Sequence, residues 1–201
     1  MTWIDTVPYE AASGRLRKIY DQIAGPDKNI DNVMLVHSLR PHSLEGHMAL
    51  YKAVLHHHGN RLETWLLEAL GVYVSLLNNC RYCVDHHSEG LRRQLQDDAR
   101  AQEIRHALEA DAPKTALSGA ALALMGYAEK LTLRAAELGE ADIAVLRGNG
   151  FDDGEILEAN QVISYFNYVN RTVLGLGVTT KGDDLGLSPS NSADPTDWSH
   201  R

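Results

Sequence analysis

The chain has 201 residues, 44% of them apolar, with a formal net charge of −8 and two cysteines, which suits one ordinary globular domain, with or without extensions. It has no basic run, so nucleic acid and anionic membrane surfaces are not expected partners. The start, MTWIDTVPYE, lacks a charged region followed by an apolar core, and no apolar stretch approaches the roughly 18 residues of a membrane span; a cytoplasmic location is therefore expected.

Leu and Ala dominate, β-branched runs are short and helical spacing recurs, which predicts an all-α protein. After Pro8, YEAASGRLRKIYDQIAG reads as a first helix to about Ala24, stopped by Gly25-Pro26. A short helix is expected over Asp31 to Leu39. Pro41 opens a longer one, HSLEGHMALYKAVLHHHG, ended by Gly59, where His56, His57 and His58 would favour the helix dipole as a cap. Residues 62–77 carry Leu62, Leu66, Ala69, Leu70, Tyr73 and Leu77, the stripe of a core-facing helix. A helix over 78–95 follows, then a polar one from Asp97 to Ala110. Further helices are expected over about Leu117–Leu138, Ala141–Arg147 and Asp153–Leu174. From Lys181 onward the chain is polar and turn-rich, and reads as a tail that packs late or not at all. One short internal echo, Val74-Ser75-x-x-Asn78 against Ile163-Ser164-x-x-Asn167, is too brief to establish a repeat.

The chemistry concentrates in NNCRYCVDHHSEGL, residues 78–91. Both cysteines lie here, Cys80 and Cys83, spaced C-x-x-C, with His86 and His87 behind them. On a helix Cys80, Cys83 and His87 share one face. Asn78 and Asn79 are good N-cap residues, which would set Cys80 near the first turn, where partial positive charge favours thiolate. In a reducing compartment such a pair is redox-active or metal-binding rather than a staple. Cys80, Cys83 and His87 could supply three zinc ligands, but no second C-x-x-C or H-x3-H pair stands close, and Val84 excludes a c-type haem motif. No metal or cofactor is expected.

Glu68 joins through geometry. Along one unbroken helix it would be about 18 Å from Cys80, too far to cooperate. If the chain reverses at Asn78-Asn79, Glu68 lies roughly 15 Å below the turn and His87 roughly 10 Å below it, within reach of two side chains or a bridging water. The thiolate would then serve as nucleophile, the imidazole would move its proton, and the carboxylate would orient the imidazole. His86 reads as a hydrogen-bonded neighbour, Tyr82 as pocket wall or packing, and Trp65, Tyr165, Phe166 and Tyr168 as core or oligomer interface. His37, His42 and His47 have no evident partner.

The pattern E-x11-C-x-x-C-x3-H, filled by Glu68, Cys80, Cys83 and His87, resembles the alkyl hydroperoxidase D (AhpD)-like group of the carboxymuconolactone decarboxylase superfamily. PHSLEGHMALYKAVL before it and GFDDGEILEANQVISYFNYVNRTVLGLGV after it resemble the longer peroxidase-related subgroup, so the likeness covers nearly all of residues 8–180, with the motif core at about 41–130 and a polar tail over 181–201. The resemblance implies an all-helical bundle with its redox site on a helical hairpin, and homo-oligomers (trimers or hexamers, a dimer being possible). It implies hydroperoxide reduction through a Cys80–Cys83 disulfide, with Cys83 peroxidatic, Cys80 resolving, Glu68 and His87 relaying protons, and a dithiol or lipoylated protein donating electrons. Where the best-known members carry a histidine just before the second cysteine, this chain has Tyr82. Two other functions stay in view. One is a decarboxylase-like lactone enzyme, which would not need two cysteines; the other is a non-catalytic helical oligomer that senses oxidation.

Overall fold

The computed structural model describes residues 2–25 and 28–200. Among them the chain is all-α, as expected: α1 (Gly14–Ile23), α2 (Asn32–Leu35), α3 (Pro41–Leu55), α4 (Thr64–Leu77), α5 (Arg81–Leu95), α6 (Asp98–Glu109), α7 (Gly119–Leu133), α8 (Glu140–Gly148) and α9 (Asp153–Leu176). The first helix starts later than the sequence suggests, because Gly14 has φ +56° and Ser13 is extended, which separates α1 from a short 3-10 turn at Tyr9–Ala11. Of the expected Gly25-Pro26 stop, Pro26 lies outside the described residues. The helix foreseen over Asp31 to Leu39 shrinks to one helical turn followed by hydrogen-bonded turns, and the one foreseen to Leu138 ends at Leu133.

The bundle is organised around α4. Every residue from Leu66 to Ser75 is buried, so α4 is enclosed on all sides rather than on the one stripe that periodicity suggested, as expected of a helix that is apolar all round. Helices α5, α6, α7 and α9 pack around it, and α3 packs on α9. A second apolar cluster joins α1, α2 and α3 through Leu16, Ile19, Tyr20, Ile23, Met34, Leu44 and Met48, and it includes Trp198 from the far end of the chain.

Helix α4 ends and reverses in three residues. Asn79 takes a left-handed conformation (φ +56°), which asparagine tolerates better than most residues. Asn78 and Asn79 therefore close α4, and the N-cap of α5 is Cys80. The Asn78 amide donates to the side chains of Asn167 (3.1 Å) and Asn170 (3.0 Å) on α9, so the two asparagines of the short sequence echo meet across the α4–α9 contact. Helix α9 starts with a capping box, in which the Asp152 side chain accepts from the Glu155 N–H and the Glu155 carboxylate accepts from the Asp152 N–H.

The polar C-terminal stretch does not hang free, as the sequence suggested. Residues 183–200 return over the bundle and are tied by isolated polar anchors. The Asp183 carboxylate accepts from the Tyr82 hydroxyl (2.6 Å) and from the Asn32 backbone N–H (3.1 Å). The buried Lys52 ammonium donates to the Ser190 carbonyl (2.7 Å) and to the Ser192 hydroxyl (3.0 Å). Arg201 lies outside the described residues.

Gly71 tests the central packing. A β-carbon there would come within 2.2 Å of the Phe166 ring, which α9 holds fully buried. Overpacking of this kind typically costs about 1–3 kcal/mol. Gly71→Ala is expected to lower the unfolding free energy from urea titration by that amount; an unchanged midpoint would show that the α4–α9 contact yields freely.

Candidate active site

The reversal at Asn79 lays α5 antiparallel on α4 and brings together the four residues singled out in the sequence. His87 Nδ1 lies 2.7 Å from Glu68 Oε2. An ionised carboxylate only accepts, so Nδ1 carries the hydrogen in this bond and Nε2 keeps its lone pair free. Glu68 is 2% exposed, and a charge held at such depth acts through little screening. Cys80 and Cys83 are both buried and reduced, their sulfurs 3.4 Å apart.

Beneath the sulfurs lies a polar floor. Ser75 and Asn170 are fully buried and bonded to each other, the Asn170 amide donating to the Ser75 hydroxyl at 3.1 Å. The hydrogen bond between the thiols lowers the pKa of Cys80 and raises that of Cys83 well above the ordinary thiol value, and burial pushes Cys83 further in the same direction. Access runs the other way. Cys83 lines a small cavity of about 40 Å³ together with Tyr51, Glu68, Tyr82, His87 and Tyr165, while Cys80 stands behind it. The thiol that a substrate meets first is thus the one that holds its proton more tightly.

The surroundings hold groups the sequence did not point to. His56, read as a cap, turns inward: its Nε2 lies 4.0 Å from Glu68 Oε1 and has no hydrogen-bond partner. Burial and the neighbouring His87 keep His56 far below the usual imidazole range, so it is neutral and this contact is no ion pair. His56 still stands at the C-cap of α3, and His57 Nδ1 accepts from the Gly59 N–H at 3.0 Å in the turn that follows. His47 also lines the cavity, its pKa depressed by burial to about 3. Burial raises the phenols of Tyr51 and Tyr165 well above their ordinary range, so both stay protonated. Phe166 meets the His87 ring edge-on at 4.6 Å between centroids, whereas Tyr168 is 45% exposed. Tyr82 stacks on His86, and both reach Asp183, His86 at 3.3 Å. Burial lifts nearby Asp31 to about 7.

Comparison with known proteins fits this geometry. Residues 41–130 match the carboxymuconolactone decarboxylase family, a segment that contains Glu68, Cys80, Cys83 and His87. The segment that carries the site is thus similar to that family, over somewhat less than half of the chain. The fold of the chain is shared with an uncharacterized peroxidase-related protein with an alkylhydroperoxidase AhpD core from Ralstonia eutropha (21% identity over 90% of this chain and 93% of that one, TM-score 0.79). It is shared equally with an uncharacterized peroxidase-related protein from a Silicibacter species (23% identity over 90% and 93%, TM-score 0.79). The debrominase Bmp8, solved in complex with 2,3,4-tribromopyrrole, also resembles it (16% identity over 84% of each chain, TM-score 0.64). No curated protein sequence matches.

A further residue of the site escaped the sequence reading. Gly90 sits one turn beyond His87 on the same face of α5, and a β-carbon there would fall 2.9 Å from the carboxylate of Glu68. The missing side chain is what lets Glu68 reach His87. Its only sequence signal is a glycine inside an otherwise regular helix. Gly90→Ala is expected to push the carboxylate away from His87 and slow alkylation of Cys83 at neutral pH by about tenfold, the lower end of a general-base contribution. Far-ultraviolet circular dichroism should stay unchanged; an unaltered alkylation rate would mean that Glu68 finds His87 without this gap.

Proposed function

We propose that the protein is a thiol-dependent peroxidase that reduces hydroperoxides through a Cys80–Cys83 disulfide. The observation that supports this reading most is the pairing of a cavity-facing thiol, Cys83, with a histidine one helical turn away, His87, whose far nitrogen is bonded to a buried carboxylate. Cys83 holds its proton at neutral pH, so its reaction needs a base in place. His87 Nε2 takes the proton, and Glu68 stabilises the imidazolium that results.

The Cys83 thiolate then attacks the outer oxygen of the hydroperoxide. The S–O bond forms as the O–O bond breaks, and the departing alkoxide or hydroxide takes the proton from His87. Cys83 becomes a sulfenic acid and the peroxide leaves as alcohol or water. The Cys80 sulfur, 3.4 Å away, displaces the sulfenic hydroxyl as water and closes the disulfide. The lowered pKa of Cys80 suits this second nucleophile. A dithiol donor returns both cysteines to thiols and leaves as its own disulfide. A lipoylated protein as donor and assembly into a homo-oligomer belong to the same proposal and rest on the family resemblance.

The fold by itself does not choose this chemistry, since a debrominase shares it. The paired thiols favour the redox reading over a decarboxylase-like reaction, which has no use for the second cysteine. A redox sensor would form the disulfide without turning over.

Cys80→Ser is expected to react once with peroxide and stop, leaving a sulfenate on Cys83 that dimedone labels when added in denaturant and mass spectrometry locates. Cys83→Ser should consume no peroxide in the presence of a dithiol. Full turnover by Cys83→Ser would remove the assignment.

A further inference from the structure

We infer that the returning C-terminal segment, residues 183–200, is the outer wall of the active cavity and confines its substrates to the smallest hydroperoxides, hydrogen peroxide foremost. This rests on the peroxidase reading above and specifies its substrate class.

Four residues of the segment, Gly186, Leu187, Ser188 and His200, line the same cavity as Cys83, Glu68 and His87. The segment is held from both ends. At its start Asp183 is bonded to Tyr82, the residue just before Cys83, and to Asn32 on the rim opposite. At its end Trp198 is buried in the cluster formed by α1, α2 and α3, and His200 is buried with its Nδ1 2.9 Å from the Trp198 carbonyl. Between them Lys52 grips Ser190 and Ser192. Three buried polar or aromatic anchors over so short a span make a wall rather than a loose cover.

The cavity is small, about 40 Å³, room for only a few waters. Hydrogen peroxide, with two heavy atoms, fits; an aromatic or long-chain alkyl hydroperoxide does not enter unless the segment yields. The wall is also close-fitting where it meets the bundle. The Leu187 methyl lies 3.0 Å from where a β-carbon on Gly25 would be, and a β-carbon on Gly186 would fall 2.5 Å from Glu89. His47 in the cavity lining has a buried Nδ1 with no partner. An unpaired buried polar nitrogen is costly, a cost which a small polar ligand offsets and an apolar chain does not.

The test uses single-turnover oxidation of the reduced full-length protein, followed by acid quench and thiol counting, so that no reductant limits the result. Hydrogen peroxide is expected to oxidise the pair at least about tenfold faster than cumene hydroperoxide, the discrimination a close-fitting pocket supplies. Leu187→Ala, which trims the wall, should reduce that ratio at least about threefold, as removal of methylenes from a pocket does. In parallel, Cys83 in a Cys80→Ser background is alkylated with iodoacetamide and with N-phenylmaleimide, comparing the rate ratio with that of free cysteine; the bulky reagent should be disfavoured, and Leu187→Ala should relax this as well. Equal rates for the two peroxides, or ratios that Leu187→Ala leaves unchanged, would overturn the wall. Size-selective alkylation without oxidation by either peroxide would overturn the peroxidase reading and the hydroperoxide assignment with it, while showing that the segment does screen Cys83 by size.

Discussion

The site depends on one hydrogen bond, from His87 Nδ1 to the buried carboxylate of Glu68 at 2.7 Å. Burying a carboxylate costs several kcal/mol unless a hydrogen-bonded partner compensates it. Glu68 sits on α4, the helix enclosed on every side, and His87 is the partner that α5 delivers. Neutral His56 stands 4.0 Å from the other oxygen and adds no charge. The bond does two things at once: it makes Glu68 tolerable in the core, and it fixes the imidazole so that its free nitrogen serves the cavity. Gly90 is the space in which that bond is made.

Everything upstream of the bond is local conformation. The reversal at Asn79 sets the register of α5 on α4, and the asparagines and serine below it, Asn78, Asn170 and Ser75, make a polar floor on which two thiols can be buried side by side. That floor does not make the outer thiol acidic. Cys80 acquires the lower pKa and Cys83 the higher, so the helix start does not by itself prime the cavity-facing sulfur, contrary to the simple reading of a C-x-x-C at a helix N-terminus. The geometry supplies a base for that sulfur in His87, which Glu68 holds in place.

Much of this was legible in the sequence because it is written in periodicity. Helical spacing marked nearly all the helices, and placing a reversal at Asn78-Asn79 was enough to bring Glu68 to His87. The motif residues also carry a family resemblance. What stayed hidden depends on contacts between distant, individually ordinary residues. Asp183, Ser190 and Ser192 read as tail composition because hydropathy does not register a single carboxylate fitted to Tyr82 and Asn32 or a serine fitted to Lys52. His56 and its two neighbours looked alike in sequence, yet one turned into the core and another capped a turn. Gly90 signalled only an absence. The N-cap assignment failed for a related reason: asparagine suits both a helix start and a left-handed helix end, and the structure used the second.

The most direct measurement is the alkylation rate of Cys83 against pH in a Cys80→Ser background, with Glu68 intact and with Glu68→Gln. Burial still raises the thiol once the Cys80 contact is gone, so without help its thiolate grows only as pH climbs toward and past the ordinary thiol value of 9.0. With Glu68 holding His87 as base, appreciable reaction is expected already near neutral pH. Glu68→Gln should shift the profile to higher pH and slow the neutral rate by at least about tenfold, within the range of a general-base step. Superimposable profiles in the two proteins would contradict the account, because the buried carboxylate would then have no part in moving the Cys83 proton.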